Sequence, residues 1–421
     1  MKKTFRFLSM AALLVVGAIM TGCSNDDNID TPPQPTKNNN IVTLTATVSL
    51  DGDAGTRAIN ATTGVKTFET GNQIAVIYKN TSSQTVKAVS TDFTPTGDNT
   101  KATFTVSLTN PATDSPIRYI YPATMAKNVA TDATITNDDA TIDYSGLLGS
   151  QNGTLATLGT NYDLAVKDGS LSGTDLPASV TLTNPLAICK FTLTDGTNPI
   201  TSDVTSLTIS DGTNAYAVTP SGLSEIYVAM KPASGKIAFT AATSTKTYFK
   251  TATGTSLVAS KLYTNITVSM VELALGRVIC DDGSVYASKS AAEGASKTPV
   301  VVITYLGSNG EAAPYNHGLA LALSDQDSWP KNWDWAISSC SNKTPTVTGA
   351  SSWMLPSKAQ WEKMYLAGFL NTAGLKSGEC YWSSTEDSAT AWAIKVNTGG
   401  WEKRDKTNPL SNSYVRAGIA F

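Results

Sequence analysis

Few side chains in this sequence can make or break bonds, and their spacing narrows the chemistry further. One histidine, His317, serves all 421 residues. H-E-x-x-H zinc sites and every multi-His ligand set are therefore excluded, and any Ser/His or Cys/His dyad would have to use that ring. The residue opens an apolar run with no nucleophile motif beside it, so it reads as a hydrogen-bonded residue at a strand entrance. The five cysteines, Cys23, Cys189, Cys280, Cys340 and Cys380, form no C-x-x-C pair, which argues against a zinc cluster. In an oxidising exterior Cys340 can join Cys380, or Cys280 can take a partner instead. Asp325 with Asp327, and Glu386 with Asp387, are the acidic pairs that could serve a glycosidase, whose carboxyls stand roughly 5 to 10 Å apart across the scissile bond. Solvated loop residues near strand ends are the more ordinary reading of both. The expectation is a protein that is not an enzyme, with no catalytic residue, no metal and no cofactor.

The tryptophans carry more information, because all eight fall between Trp329 and Trp401. Trp353, Trp361, Trp382 and Trp392 sit at periodic or motif positions and read as core. Trp329, Trp333, Trp335 and Trp401 have polar neighbours, and Trp401 follows Gly399-Gly400 and precedes Glu402, Lys403 and Arg404. An indole beside directional polar groups suits stacking on a sugar face or contact with a protein, with packing as an equal alternative. The candidate ligand-binding residues are therefore Trp401, Arg404, Asp387 and Lys403, on the surface formed by loops between the second helix and the closing strands.

The elements that position these residues are mainly strands. Charged residues make up 15% of the chain, well under the usual share of about a quarter, while Thr, Ser, Asn and Gly are abundant. That is the surface of a secreted β-protein. The net charge of −3 and the lack of any Lys/Arg-rich run leave nothing to neutralise phosphates, so nucleic acid is not a partner. At about 150 residues per domain the length accommodates two or three.

The N-terminus reads as an address. Lys2, Lys3 and Arg6 precede an apolar run from Phe7 to Met20, too short to cross roughly 30 Å of hydrocarbon but right for a signal peptide. Its end, Met20-Thr21-Gly22-Cys23, resembles a bacterial lipobox, which implies acylation of Cys23. The acidic residues that follow, Asp26 and Asp27, resemble the export signal of surface lipoproteins. Residues 1–22 are thus expected to be removed, and 23–40, with Pro32, Pro33 and Pro35, has the composition of a disordered tether.

Alternation begins at residue 41. Val42, Leu44, Ala46, Val48 and Leu50 share one face, with Thr43, Thr45, Thr47 and Ser49 on the other, which predicts a half-buried strand. A turn cluster, Asp51-Gly52-Asp53-Ala54-Gly55, stops it, followed by Thr56-Arg57-Ala58. Short alternating runs recur to about residue 270 without a helical period of useful length, and predict two β-sandwiches, 41–172 and 173–271, with the seam in the Gly/Ser-rich stretch 168–175. Residues 272–421 differ: a D-G hairpin near 277–286, a helix over 325–339 that Pro330 shortens or delays, and a second helix capped by Ser357 with Gln360 completing a capping box. Strands then return to the end, making an α+β module.

In the first 270 residues, Phe68-Glu69-Thr70-Gly71-Asn72-Gln73-Ile74-Ala75-Val76, Tyr121-Pro122, Ile226-Tyr227-Val228-Ala229-Met230 and Leu257 through Tyr263 to Val268 resemble the fimbrillin family of Bacteroidales pilins. The resemblance implies two tandem transthyretin-like β-sandwiches, a lipoprotein precursor, and removal of the first strand by an arginine-specific protease, here between Arg57 and Ala58. The last 150 residues are similar to C-type-lectin-like domains of bacterial surface lipoproteins, through His317 to Asp325, Trp353-Met354-Leu355-Pro356-Ser357, Tyr381-Trp382-Ser383-Ser384-Thr385-Glu386 and Val415-Arg416-Ala417. No E-P-N, Q-P-D or W-N-D triplet follows, so the calcium-dependent sugar site of such lectins is not implied.

Together these readings describe a fimbrial tip subunit or adhesin on the cell outer membrane, held there by a lipid anchor. It would accept a strand from another pilin subunit once its own first strand is removed, and bind a glycan or a host or bacterial surface protein through its C-terminal domain. The last strand belongs to the lectin-like domain, so none is spare to donate. The alternative is a surface lipoprotein enzyme or receptor acting on glycans, because formylglycine-generating enzymes share the lectin-like fold; that reading needs a reactive Cys pair or a metal set.

Overall fold

The computed structural model describes residues 40–50, 67–97, 99–311, 314–370 and 373–421. Cys23, Arg57 and Ala58 lie outside them. The fold is mainly β, in six sheets.

Strict alternation makes Ile41–Leu50 a strand with one polar and one apolar face. It is an inner strand. Along one edge it pairs antiparallel with Lys101–Thr109, from Ile41 opposite Thr109 to Ser49 opposite Lys101, and along the other Thr47 to Leu50 run parallel to Ser179–Leu182. Outward hydroxyls pair across the register, Thr43 with Ser107 and Thr45 with Thr105 at 3.0 Å each. Inward, Ala46 and Val48 are buried in a core with Phe68, Phe93, Phe104 and Tyr121. Phe68 meets Phe93 edge-on at 5.1 Å between centroids, and Tyr121 stacks on Phe93 at 5.7 Å. The facing sheet runs Thr85–Val89, Ala75–Lys79, Pro116–Tyr121, Ala165–Ser170.

The sheets around the first core draw strands from both sides of residue 172. Within stretch 168–175 the strand runs to Ser170 and a turn follows: Ser172 and Asp175 bridge, and Leu171 and Leu176 on either side are buried in the first core. Ser179–Leu182 then completes the sheet that holds the first strand.

The second sandwich faces Ile226–Met230, Ala187–Thr194 and Leu262–Ser269 against a five-stranded sheet centred on Ala233–Ala242. Contrary to the sequence reading, helices occur before it: Asp138–Thr141, Ser145–Gly149 and Leu155–Asn161. They are too short for their period to show, but Asn137 and Thr154 cap two of them by accepting from Ala140 and Thr157 backbone N–H groups. Buried Gln151 ties this segment down, donating to the Leu147 and Ala229 carbonyls at 2.8 and 2.9 Å and accepting from the Ala229 N–H.

In the C-terminal module, Gly283 supplies the positive φ of the D-G turn between Val278–Cys280 and Val285–Tyr286. A short helix the sequence reading did not expect, Lys289–Gly294, comes first, capped by Ser288; the helix expected over 325–339 starts after Pro330, at Trp333–Ser341, with Asn332 as its cap. The other expected helix is Lys358–Leu366, with both halves of the predicted capping box formed. A three-stranded sheet, Cys380–Asp387, Thr390–Lys395 and Gly400–Asp405, follows. Closing strand Gly418–Ala420 adds to the edge of Gly318–Ala322, and buried Phe421 packs over Gly318, where an added Cβ would sit 2.5 Å from the ring. The module docks on the second sandwich. Ala238 and Phe249 of the sandwich belong to the same core as Ile279, Val301 and Val347 of the module.

Candidate functional site

Two places invite function: the first strand in its groove, and the surface of the three-stranded hairpin sheet. The first has been described. Its groove has Lys101–Thr109 for one wall and Ser179–Leu182 for the other, over an apolar floor.

On the hairpin sheet, antiparallel register decides which side chains share a face. Trp392 stands opposite Lys403, Ile394 opposite Trp401, and Asp387 opposite Thr390. Trp401, Lys403 and Asp387 therefore gather on one face, together with Trp392. Trp392 and Trp401 meet edge-on at 6.5 Å, and both are only half-buried, so Trp392 is not the core residue its position implied. Lys358, at the start of the helix Lys358–Leu366, lays its ammonium 3.6 Å over the Trp392 ring and 5.2 Å from that of Trp401. Lys403 pairs with Asp387 at 2.5 Å, and its hydrogen bond and charge hold that carboxyl below the usual range.

Arg404 is elsewhere. One residue along the strand from Lys403, it points to the opposite face, where it pairs with Glu402 at 2.8 Å, reaches the Cys380 sulfur at 3.2 Å, and donates to the Asn412 carbonyl at 3.0 Å and the Ser413 hydroxyl at 3.3 Å. The grouping of Arg404 with Trp401, Lys403 and Asp387 is corrected by strand alternation: it braces a loop instead.

That loop walls a cavity the sequence reading missed. About 190 Å³ in size, it is lined by Lys331, Asn332, Trp335, Thr407, Pro409 and Asn412. The only sequence signal was the pair of tryptophans in polar surroundings at 333 and 335. Trp333 donates its indole N–H to the Ser383 carbonyl and so is structural, whereas Trp335 faces the cavity.

The remaining carboxylate candidates named from sequence have partners. Asp325 accepts from buried Arg416 at 2.7 Å and from the Tyr381 hydroxyl at 3.1 Å; Asp327 pairs with Lys331, and Glu386 with Lys406. Neither acidic pair is left as two unpartnered carboxyls facing a cleft. Cys189, Cys280, Cys340 and Cys380 are buried and free, so neither disulfide proposed from sequence is present. Burial pushes the Cys189 and Cys340 thiols up to about 12. His317 precedes its strand as expected, with its ring nitrogen 3.3 Å from the Ser206 hydroxyl and 3.4 Å from that of Thr208 on the second sandwich. Among the described residues no cluster of His, Cys, Asp or Glu could hold a metal, and no helix is long and apolar enough to cross a membrane.

No protein-family model matches the chain, and no curated protein matches it significantly. Solved structures do show similarity. One is a fimbrial protein from Bacteroides ovatus, with 13% identity, a TM-score of 0.30, and coverage of 91% of this chain and 100% of that one. A fimbrial assembly protein from Parabacteroides distasonis has 11% identity and a TM-score of 0.30 over 53% of this chain and 90% of its own. The C-terminally truncated tip fimbrial protein of Porphyromonas gingivalis has 11% identity and a TM-score of 0.22, covering 66% and 87% respectively.

Proposed function

We propose that this chain is a surface-displayed fimbrial subunit that sits at a fibre tip and presents its C-terminal module as an adhesin. One observation carries the reading: the first strand is an inner strand that supplies part of the first core, yet it enters the fold from one end and is followed by a Gly-rich segment carrying Arg57. Cleavage after Arg57 would make that strand a separate peptide. Its departure would leave two unpaired edges, on Lys101–Thr109 and Ser179–Leu182, over an apolar floor. An extended segment from another subunit fits such a gap, with main-chain hydrogen bonds supplying affinity and alternate side chains supplying register. Acylation of Cys23 would tether the precursor, since two acyl chains anchor stably where one does not.

We assign the tip position because the closing strand Gly418–Ala420 is paired within the module's own sheet and Phe421 is buried in its core, so this strand is engaged inside its own subunit. Trp401, Lys403 and Asp387, with Trp392 and Lys358, form the face we assign to ligand contact. The test is immunogold labelling of fibres from cells carrying the wild type and Arg57→Ala. Label at fibre ends, lost in the variant, supports the reading; label along the shaft, or unchanged incorporation of the variant, overturns it. Separately, a palmitate analogue should label the wild type and not Cys23→Ala.

A further inference from the structure

We infer that the cavity between the helix Trp333–Ser341 and the loop after the last hairpin strand binds one uncharged pyranose ring of a glycan. This deepens the adhesin reading and rests on it, adding to the Trp401 face a second contact lined by other residues.

The lining has the two halves that a sugar requires. Trp335 and Pro409 offer flat apolar surface, which suits the C–H face of a pyranose. Around them stand groups with unused hydrogen-bonding capacity. Asn412 contributes its side chain to the lining, and its Oδ1, closed off from solvent, has no partner, so a sugar hydroxyl donates to it once that side chain turns toward the cavity. Asn332 uses its Oδ1 to cap the helix, accepting from the Trp335 backbone N–H at 2.9 Å, and its amide NH₂ has no bond among the described residues. Thr407 donates to Asp405 at 3.0 Å and keeps its acceptor capacity. Hydroxyls both donate and accept, so a polyol satisfies all three where a purely apolar ligand would satisfy none.

Charge and size select further. The one cation in the lining, Lys331, is already paired with Asp327 at 3.0 Å, so the site offers no uncompensated charge to an acidic sugar. At about 190 Å³ the space is below the 300 Å³ or more that drug-sized ligands occupy, and suits one ring rather than a peptide segment.

The walls are set before any ligand arrives. Lys331 and Ser413 exchange backbone hydrogen bonds at 2.9 and 3.1 Å, the Trp382 indole holds the Lys331 carbonyl at 2.7 Å, and Arg404 holds that of Asn412. Arg404 is thus a positioning residue for the site. A rigid cavity spares a weak ligand the ordering cost of binding.

The test titrates the full chain with the methyl glycosides of glucose, galactose and mannose, read by saturation-transfer NMR. At least one should bind. Asn412→Ala and Trp335→Ala should each weaken that binding tenfold or more, and Thr407→Trp, an exposed-loop change that fills the cavity without touching the core, should abolish it with the unfolding temperature unchanged. Lys289→Ala, on an exposed helix outside both assigned faces, should leave it intact. Binding that survives Thr407→Trp overturns the cavity assignment while the adhesin reading stands. A folded chain that binds no neutral glycoside also overturns the assignment, whereas the adhesin reading falls only on the immunogold result.

Discussion

Arg404 shows how far residue type alone can be trusted. Its neighbours in sequence pointed to ligand contact, but the period of two that makes the strand legible also sends it away from Lys403. Arg416 is the better example of an arginine whose role only tertiary structure reveals. Buried, it pairs with Asp325 and donates to the carbonyls of Ala322, Ala373 and Gly374. Removing it strands the Asp325 carboxylate, so Arg416→Ala should destabilise the module by about 3–5 kcal/mol, measurable as a fall in its denaturant midpoint. His317 makes a prediction about pH. Burial pushes its pKa below the ordinary value, so below about pH 6.5 the unfolded chain binds the proton more readily than the folded one. Stability should be complete above that pH and decline as pH falls through it, and His317→Gln should remove that part of the slope in melts between pH 7.5 and 5.

At the scale of elements, legibility tracked local signals. The helix Lys358–Leu366 was readable because its cap is written in Ser357 and Gln360, and Ser357→Ala should cost about 1 kcal/mol. The first strand was readable because nine consecutive residues alternate. The helices between residues 138 and 161 were not, since four to seven residues give barely one or two turns and their packing partners lie in the second sandwich. In the strand Thr247–Leu257, Tyr248 packs in the second sandwich's own core and adjacent Phe249 in the core shared with the module, so both faces carry apolar residues and no period of two shows. The cavity was beyond reach because its walls, residues 331–335 and 407–412, are brought together by long-range backbone pairing that no spacing encodes. Gly318 illustrates the same limit. Nothing local marks it, yet Gly318→Ala would push a methyl into Phe421 and the Tyr305 carbonyl, and should cost roughly 1–3 kcal/mol as an overpacking change, read from the thermal melt.

Across the whole molecule, the module is not strung on a linker. Phe249 and Ala238 of the second sandwich complete its core, and Gly349 approaches Ala238 so closely that an added Cβ would lie 2.5 Å away. Force applied to a ligand on the module would pass directly into the sandwich. Phe249→Ala should cost about 3–5 kcal/mol and split a single unfolding transition into two, which calorimetry would resolve.

The inner position of the first strand also has a consequence in time. Breaking the peptide bond after Arg57 removes a covalent link but none of the nine register pairs with Lys101–Thr109, nor the four with Ser179–Leu182. Under the proposed processing, a chain cut there would keep its first strand in place. It should run as two pieces in a denaturing gel and as one in gel filtration. Its shelf life is then set by how fast that peptide peels away, and an incoming strand that begins pairing at residues 41–46, where the parallel neighbour does not reach, would shorten the wait by displacing it stepwise.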